Sequence, residues 1–232
     1  MISIIIPSYN EEESIERCLQ SLSNQTIPRY EYEIIVVDGN SVDRTREIAD
    51  KYADLVFIQE SKLVGGARND GFKRARGNIV ATTDADCIIP KEWVERVLMD
   101  FSHPDVVQIY GPVYPVEPGF KHKISLFLAN NFSKAGYYLK IWYFTLGCNT
   151  AFRREAFIKA GMYRCIDAGD DLEIAVRMKK EGKVLFDNSL RVGFSMRRYQ
   201  KFGTLKSLYE WLYIVHSGGA SDKYSYSHRE YK

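Results

Sequence analysis

An α/β fold, a mostly parallel sheet with helices on both faces, is what this sequence predicts, and two observations carry the expectation. Short runs rich in Val and Ile occur at residues 3–6, 33–37, 55–58 and 79–83. Between them lie residues 13–24, 42–52 and 64–76, where apolar side chains recur at three- and four-residue spacing, as Ile15, Leu19 and Leu22 do in the first. Runs of the first kind fit buried strands and segments of the second fit crossover helices, and their alternation yields a parallel sheet. Ligands of such sheets bind beyond the carboxyl ends of the strands. The residues that follow each strand are therefore the candidates for function.

Taken in order, the first strand leads into Pro7-Ser8-Tyr9-Asn10-Glu11, and Asn10 with Glu13 reads as a capping box for the first helix. Asp38 closes the second strand, and Asp84-Ala85-Asp86 closes the fourth. Pro90 suits the first turn of a helix that runs through Trp93, Val97 and Leu98. The second half is less regular: a strand at 106–110, an aromatic-rich helical stretch over 124–144, a strand near 148–152 and a helix at 171–181. Leu205, Leu208, Trp211, Leu212 and Val215 share one helical face, which suits a membrane, a partner or the domain itself, and packing within the domain is the expectation. No repeat, linker or low-complexity tract separates the halves. Residues 1–232 therefore read as one domain, with halves at 1–110 and 111–216 and a flexible tail at 217–232 that carries Gly218-Gly219.

Composition removes several functional classes. The chain is 45% hydrophobic and 27% charged, which is ordinary for a soluble globular domain. A net charge of +2 offers no basic field for a nucleic-acid backbone, so no nucleic-acid partner is expected. The longest uncharged stretch, residues 141–152, falls well short of the roughly 20 apolar residues that span a bilayer. The N-terminus lacks the basic flank and cleavage site of a secretion signal, and a cytoplasmic location is expected. Cys18, Cys87, Cys148 and Cys165 form no C-x-x-C pair and read as reduced, mostly buried thiols. The dinucleotide fingerprint and the Walker A loop are both absent.

Carboxylates at strand ends suit a ribose or a hard cation, because Mg²⁺ and Mn²⁺ take oxygen ligands. Alone, Asp84-Ala85-Asp86 reads more readily as a turn with solvated acids than as a site. Five segments in order give it context: 3–12 (Ser-Ile-Ile-Ile-Pro-Ser-Tyr-Asn-Glu-Glu), 35–45 around Asp38-Gly39-Asn40, 66–71 (Gly-Ala-Arg-Asn-Asp-Gly), 83–86 (Thr-Asp-Ala-Asp), and 147–154 leading into Gly169-Asp170-Asp171 and Arg177. With these segments the chain resembles the family-2 glycosyltransferases of the GT-A fold, from residue 2 to about 182.

The resemblance implies an inverting enzyme that moves a sugar from a nucleoside diphosphate donor, UDP- or GDP-linked, to a hydroxyl on a glycan or lipid-linked acceptor. It implies a nucleotide-sugar half at 1–110 and an acceptor half at 111–216. Pro7, Tyr9 and Glu11 would line the base and ribose pocket, Tyr9 by stacking, and Asp38 would accept a hydrogen bond from the base. Arg68, near a helix start with Gly65-Gly66, would approach phosphate. Asp84 would lie near ribose and metal, and Asp86 would be the more direct ligand of Mn²⁺ or Mg²⁺. Asp171 would be the base that takes the proton of the acceptor hydroxyl, although acids in a first helical turn also serve the helix dipole. Arg197 and Arg198 either reach the departing diphosphate or are a solvated pair.

Departures accompany the match. Asp38-Gly39-Asn40 stands where many relatives have two acids before Gly, and Asp170 stands where the family usually has Glu. The Gln-x-x-Arg-Trp signature of processive synthases is absent. Tyr137, Tyr138, Trp142, Tyr143 and Phe144 suit an acceptor platform, a lipid-facing peripheral membrane contact, core packing or a homodimer contact. Two rival functions remain: a sugar-nucleotide nucleotidyltransferase, for which the 7–11 loop lacks the Gly-rich phosphate signature, and a non-catalytic sugar-nucleotide-binding module.

Overall fold

The computed structural model describes residues 1–217. The chain runs β1 (Ile2–Ser8), α1 (Ile15–Ser23), β2 (Tyr32–Asp38), α2 (Thr45–Ala49), β3 (Leu55–Ile58), α3 (Leu63–Arg74), β4 (Ile79–Thr82), α4 (Trp93–Asp100) and β5 (Val106–Tyr110). It continues through β6 (Val113–Pro115), α5 (Phe120–Leu139), β7 (Thr150–Arg153), α6 (Arg154–Lys159), α7 (Asp170–Met178), β8 (Lys183–Phe186), β9 (Val192–Phe194), α8 (Arg197–Phe202) and α9 (Thr204–His216).

Strand side chains alternate between the two faces of a sheet, and here both faces are apolar. Ile4, Ile6, Ile34 and Val36 join one buried cluster, with Ile15 and Leu19 of α1 and Trp93 and Val97 of α4. Ile5, Ile35 and Val37 join the other, with Phe72 of α3, Phe157 of α6 and Ile174 of α7. The seven strands of the main sheet lie in the order β3-β2-β1-β4-β7-β5-β8. All neighbours are parallel except where β7 runs antiparallel between β4 and β5. A second, two-stranded sheet pairs β6 with β9. The parallel sheet expected from the strand-helix alternation is thus found, with one reversed strand.

Helix α3 lies close on the sheet because Gly71 has no side chain. A Cβ there would stand 2.6 Å from Cγ2 of Ile5 and 2.9 Å from Cγ2 of Val37. Gly71→Ala gains up to about 1 kcal/mol of helix propensity, yet overpacking a filled core costs about 1–3 kcal/mol. A net loss is expected, read as a lower urea midpoint at unchanged m-value. A raised midpoint would show that the contact yields.

Several local expectations are corrected. Asn10 does not cap α1. It adopts φ +53°, its N–H donates to Ser41 Oγ at 2.8 Å, and its Oδ1 accepts from Val42 N at 3.0 Å. A tie between two loops thus takes the groups a cap would use, and the N–H groups of Ser14 and Ile15 donate to Glu11 O. Pro90 lies before α4, its carbonyl accepting from Trp93 N. Helix α2 is shorter than the 42–52 pattern, because Asp43 turns back to accept from Thr45 N at 3.0 Å. Helix α5 starts and ends earlier than 124–144, with left-handed Lys140 closing it. In α9 the apolar stripe is divided: Trp211 packs at Phe144 and Val215 at Gly169, both half-buried, while the leucines turn out. Leu205, Leu208 and Leu212 are exposed, while Ser207, Glu210 and Ile214 face in. The tail expected to be flexible lies, beyond Ser217, outside the described residues.

Candidate functional site

Parallel strands end at one edge, so Ser8 of β1, Asp38 of β2 and Asp84, just past β4, come together there. At the β1 end, Tyr9 is 53% exposed and belongs to neither buried cluster. Its ring lies against Gly39, where a Cβ would be 3.2 Å from Tyr9 Cδ2. An uncovered aromatic over a glycine floor offers a face for a flat ring to stack on.

Asp38 is turned inward. It has no exposed surface, Oδ2 accepts from Ser41 N at 2.7 Å, and Oδ1 accepts from Ser41 Oγ at 2.6 Å. Arg46 Nε stands 3.6 Å from Oδ2. In this structure Asp38 therefore holds the 38–41 turn, an Asx-type role, and presents no free oxygen for a base.

Arg68 lies in the second turn of α3, 6% exposed, between two carboxylates. Nη1 donates to Asp170 Oδ2 and Nη2 to Asp84 Oδ1, both at 3.1 Å. The guanidinium also sits over the ring of Tyr163 at 5.5 Å. Burial alone would weaken its charge, but Asp170 and Asp84 outweigh this and push its pKa up, so it stays a cation. Gly147 provides the seat: a Cβ there would be 2.3 Å from Nη2. The Gly65-Gly66 pair serves packing, not an open phosphate loop, since a Cβ at Gly65 would meet Arg164 O at 2.7 Å and one at Gly66 would meet Ser61 Cβ at 2.7 Å.

Asp171, at the start of α7, receives two N–H donors: Gly147 N on Oδ2 at 3.0 Å and its own neighbour Leu172 N on Oδ1 at 2.9 Å. Thr145 Oγ1 donates to its backbone carbonyl at 2.5 Å. Burial, and then the adjacent Asp170, push its carboxyl up to about 7. A carboxylate poised there takes and gives protons near neutrality. The two neighbouring acids are thus divided in task. Burial raises both carboxyls, but Asp170 is paired with Arg68, which opposes the rise, whereas Asp171 is bonded by backbone N–H groups. Arg177, from the same helix, pairs with Glu173 and donates to the carbonyls of Ala160 and Met162, which ties α7 to the 160–162 turn.

Arg197 is neither solvated nor remote. Its Nη2 donates to Glu11 Oε2 at 2.7 Å and to Asp86 Oδ2 at 3.0 Å. Burial, and then Asp86, raise Glu11 to about 7 despite this partner, while burial and then Asp84 raise Asp86. Arg198 is half-buried at the start of the same helix. Asp84 also meets two buried thiols: its carboxylate and the sulfurs of Cys87 and Cys148 lie within 4.8 Å of one another. Cys18 is buried as expected, and Cys165 is exposed.

Sequence reasoning did not find Gly147, Tyr163 and Asp170 as the surroundings of Arg68. Gly147 lies inside a quoted segment, but a role that depends on lacking a side chain leaves no chemical signal.

Comparison with known proteins bears on this site. The sequence model of Glycosyl transferase family 2 matches residues 3–161, more than half of the chain. The chain is 39% identical over 118 residues to the glycosyltransferase AglE of Haloferax volcanii, covering 48% of this chain and 39% of that protein. It spans well under two thirds of that relative. Among solved structures it superposes on TarS 1-349 of S. aureus in complex with UDP-GlcNAc, with TM-score 0.67, 20% identity, and 84% of this chain and 58% of that one covered. It superposes also on the mannosyltransferase PcManGT of Pyrobaculum calidifontis in complex with GDP-Man and Mn²⁺, with TM-score 0.70, 22% identity, and coverage of 94% and 62%. Structural likeness at such identities carries the GT-A fold, and the family match covers every strand-end residue from Pro7 to Asp86. The chain belongs to glycosyltransferase family 2.

Proposed function

We propose that the protein is an inverting glycosyltransferase that moves a sugar from a UDP- or GDP-linked donor to an acceptor hydroxyl, with Asp171 as the base. The observation that supports it most is the convergence of Tyr9, Arg68, Asp84 and Asp86 at one sheet edge, with Asp171 joined to them through Arg68 and Asp170. The solved relatives bind UDP-GlcNAc in one case and GDP-Man in the other, and both donors are nucleoside diphosphate sugars.

In this reading Tyr9 stacks on the base, with Pro7 and Glu11 along the pocket and Asp38 holding the loop beneath it. Asp171 takes the proton from the acceptor hydroxyl as its oxygen bonds to the anomeric carbon and the bond to the diphosphate breaks. The Gly147 N–H holds the carboxylate in place meanwhile. Arg68 and Arg197 supply positive charge to the departing diphosphate, and Arg198 stands beside them. Arg68 Nε is buried with no hydrogen-bond acceptor among the described residues.

A divalent cation suits the donor set. Asp84 and Asp86 offer the carboxylate oxygens that Mn²⁺ and Mg²⁺ take, and Asp86 with Glu11 already grips one cation, the Arg197 guanidinium. Such an ion, held by Asp84 and Asp86, would neutralise charge on the leaving diphosphate. The four cysteines, none in a disulfide, fit work in a reducing compartment such as the cytoplasm.

Calorimetric titration with UDP, GDP, TDP and CMP, each with and without Mn²⁺, tests the donor site without knowledge of the acceptor. One diphosphate is expected to bind in a metal-dependent way, and Asp86→Asn to weaken it by about tenfold or more, the loss of one carboxylate ligand. Failure of all four nucleotides to bind would sink the assignment.

A further inference from the structure

Two helices of the acceptor-side half present apolar faces that no described residue covers. On α5, Phe120, Ile124, Phe127 and Leu128 recur at the spacing of one helical face, and Phe127 is 66% exposed. On α9, Leu205, Leu208 and Leu212 do the same, with Leu205 83% exposed. The two faces are linked by a chain of rings. Phe132 of α5 meets Phe144 at 5.7 Å, and Phe144 meets Trp211 of α9 at 5.8 Å. Soluble monomers rarely expose contiguous apolar surface on this scale, and where they do it marks a partner.

The charge around these faces has one sign. From Gly119 to Gly147 the chain holds four lysines and no acidic residue. Across α8 and α9 the one acid, Glu210, is buried, whereas Lys201 and Lys206 are exposed. A cleft of about 380 Å³ between β6 and α5 is lined by Phe127 together with Lys123, Lys134 and Arg191. Large apolar side chains beside exposed lysines, with no outward carboxylate, complement acyl chains under anionic headgroups. No described helix is long and apolar enough to cross a membrane, so the contact lies on the surface.

We propose that the α5 and α9 faces seat this protein on an anionic bilayer surface, and that the acceptor is carried by a lipid of that membrane. The acceptor part rests on the transferase reading above. The face continues into the site: Phe144 is followed by Thr145, whose hydroxyl bonds the Asp171 carbonyl, and Val215 of α9 packs at Gly169, next to Asp170. A hydroxyl presented from the lipid phase therefore arrives beside Asp171.

The test is co-sedimentation of the full chain with phosphatidylcholine vesicles, with or without phosphatidylglycerol, at low and high salt. The anionic vesicles are expected to bind at least about tenfold more protein, and salt to reverse much of this. Phe127→Glu with Leu128→Glu, and separately Leu208→Glu with Leu212→Glu, are expected to lower vesicle binding about tenfold each, with nucleoside diphosphate binding and unfolding midpoint unchanged. Equal binding to both vesicle types, or vesicle binding unaffected by either pair of glutamates, overturns the proposal. So does a dimer, found by light scattering, that both pairs dissociate, because a second copy would then cover the face. If instead vesicles bind as expected and no nucleoside diphosphate binds, the surface stands and the transferase reading with its acceptor falls.

Discussion

Asp171→Asn is expected to lower the transfer rate by about 10²- to 10⁴-fold, the contribution of a positioned general base, while donor binding stays within a few-fold. Asparagine keeps the shape and one acceptor oxygen, enough for one of the two N–H donors, Gly147 N and Leu172 N, that bond separate oxygens of Asp171 in the native site. What it loses is the proton-accepting oxygen. Asp170→Asn is the informative comparison. It leaves Asp171 in place, but Arg68 loses one of its two carboxylates, so its loss should appear largely as weaker folding or donor binding. A near-normal rate in Asp171→Asn would remove Asp171 as the base of the mechanism.

The same carboxyl sets a pH dependence whose sign is fixed. A base works only when deprotonated, and burial with the Asp170 neighbour holds Asp171 up to about 7. The kcat/KM of the free enzyme should therefore rise with pH through about 7 and flatten above it. Glu11 also titrates at about 7, so the profile is compared with that of Glu11→Gln. A rising limb that persists there belongs to Asp171, and one that vanishes belongs to Glu11.

The second large effect concerns stability. Arg68→Ala is expected to destabilise the fold by about 3–5 kcal/mol, the cost of breaking a buried ion pair from one side. The cause is what stays behind: Asp170, 4% exposed, would face burial without its cation, and the Tyr163 ring would lose the guanidinium above it. The double variant Arg68→Met with Asp170→Asn removes both charges and should recover part of that loss, since neutral groups are cheaper to bury than one orphaned charge. Urea unfolding of both variants decides it. A single-variant loss under about 1 kcal/mol would mean that water reaches Asp170 and that the pair is weaker than its burial implies.

Much of the first half, residues 1–110, was legible in the chain because its signals are local. The Val and Ile runs, the three- and four-residue helix spacing and the strand-end acids each depend on neighbours a few positions away, and β1 to β4 and α1 to α3 fall within a few residues of their expected places, α2 shorter than its pattern. The motifs likewise carried the family, because Pro7, Asp38, Arg68 and Asp84 sit in short segments with fixed order. The capping box failed for the opposite reason: Asn10 bonds Ser41 and Val42, more than thirty positions away, and no local pattern shows a partner at that range.

By itself, then, the sequence determined the α/β class, the polarity of the sheet edge and the identity of the chemical groups placed there. Tertiary structure alone decided which of those groups meet. Arg68 reaches Asp170 across 102 positions and Arg197 reaches Glu11 across 186. Both pairs exist because the reversed strand β7 and the return of α8 bring distant segments to one edge. It also decided that the leucines of the α9 stripe face outward while Trp211 and Val215 pack against the domain. Helical periodicity specifies that a face is apolar, but whether anything covers it depends on where the neighbouring elements have been packed.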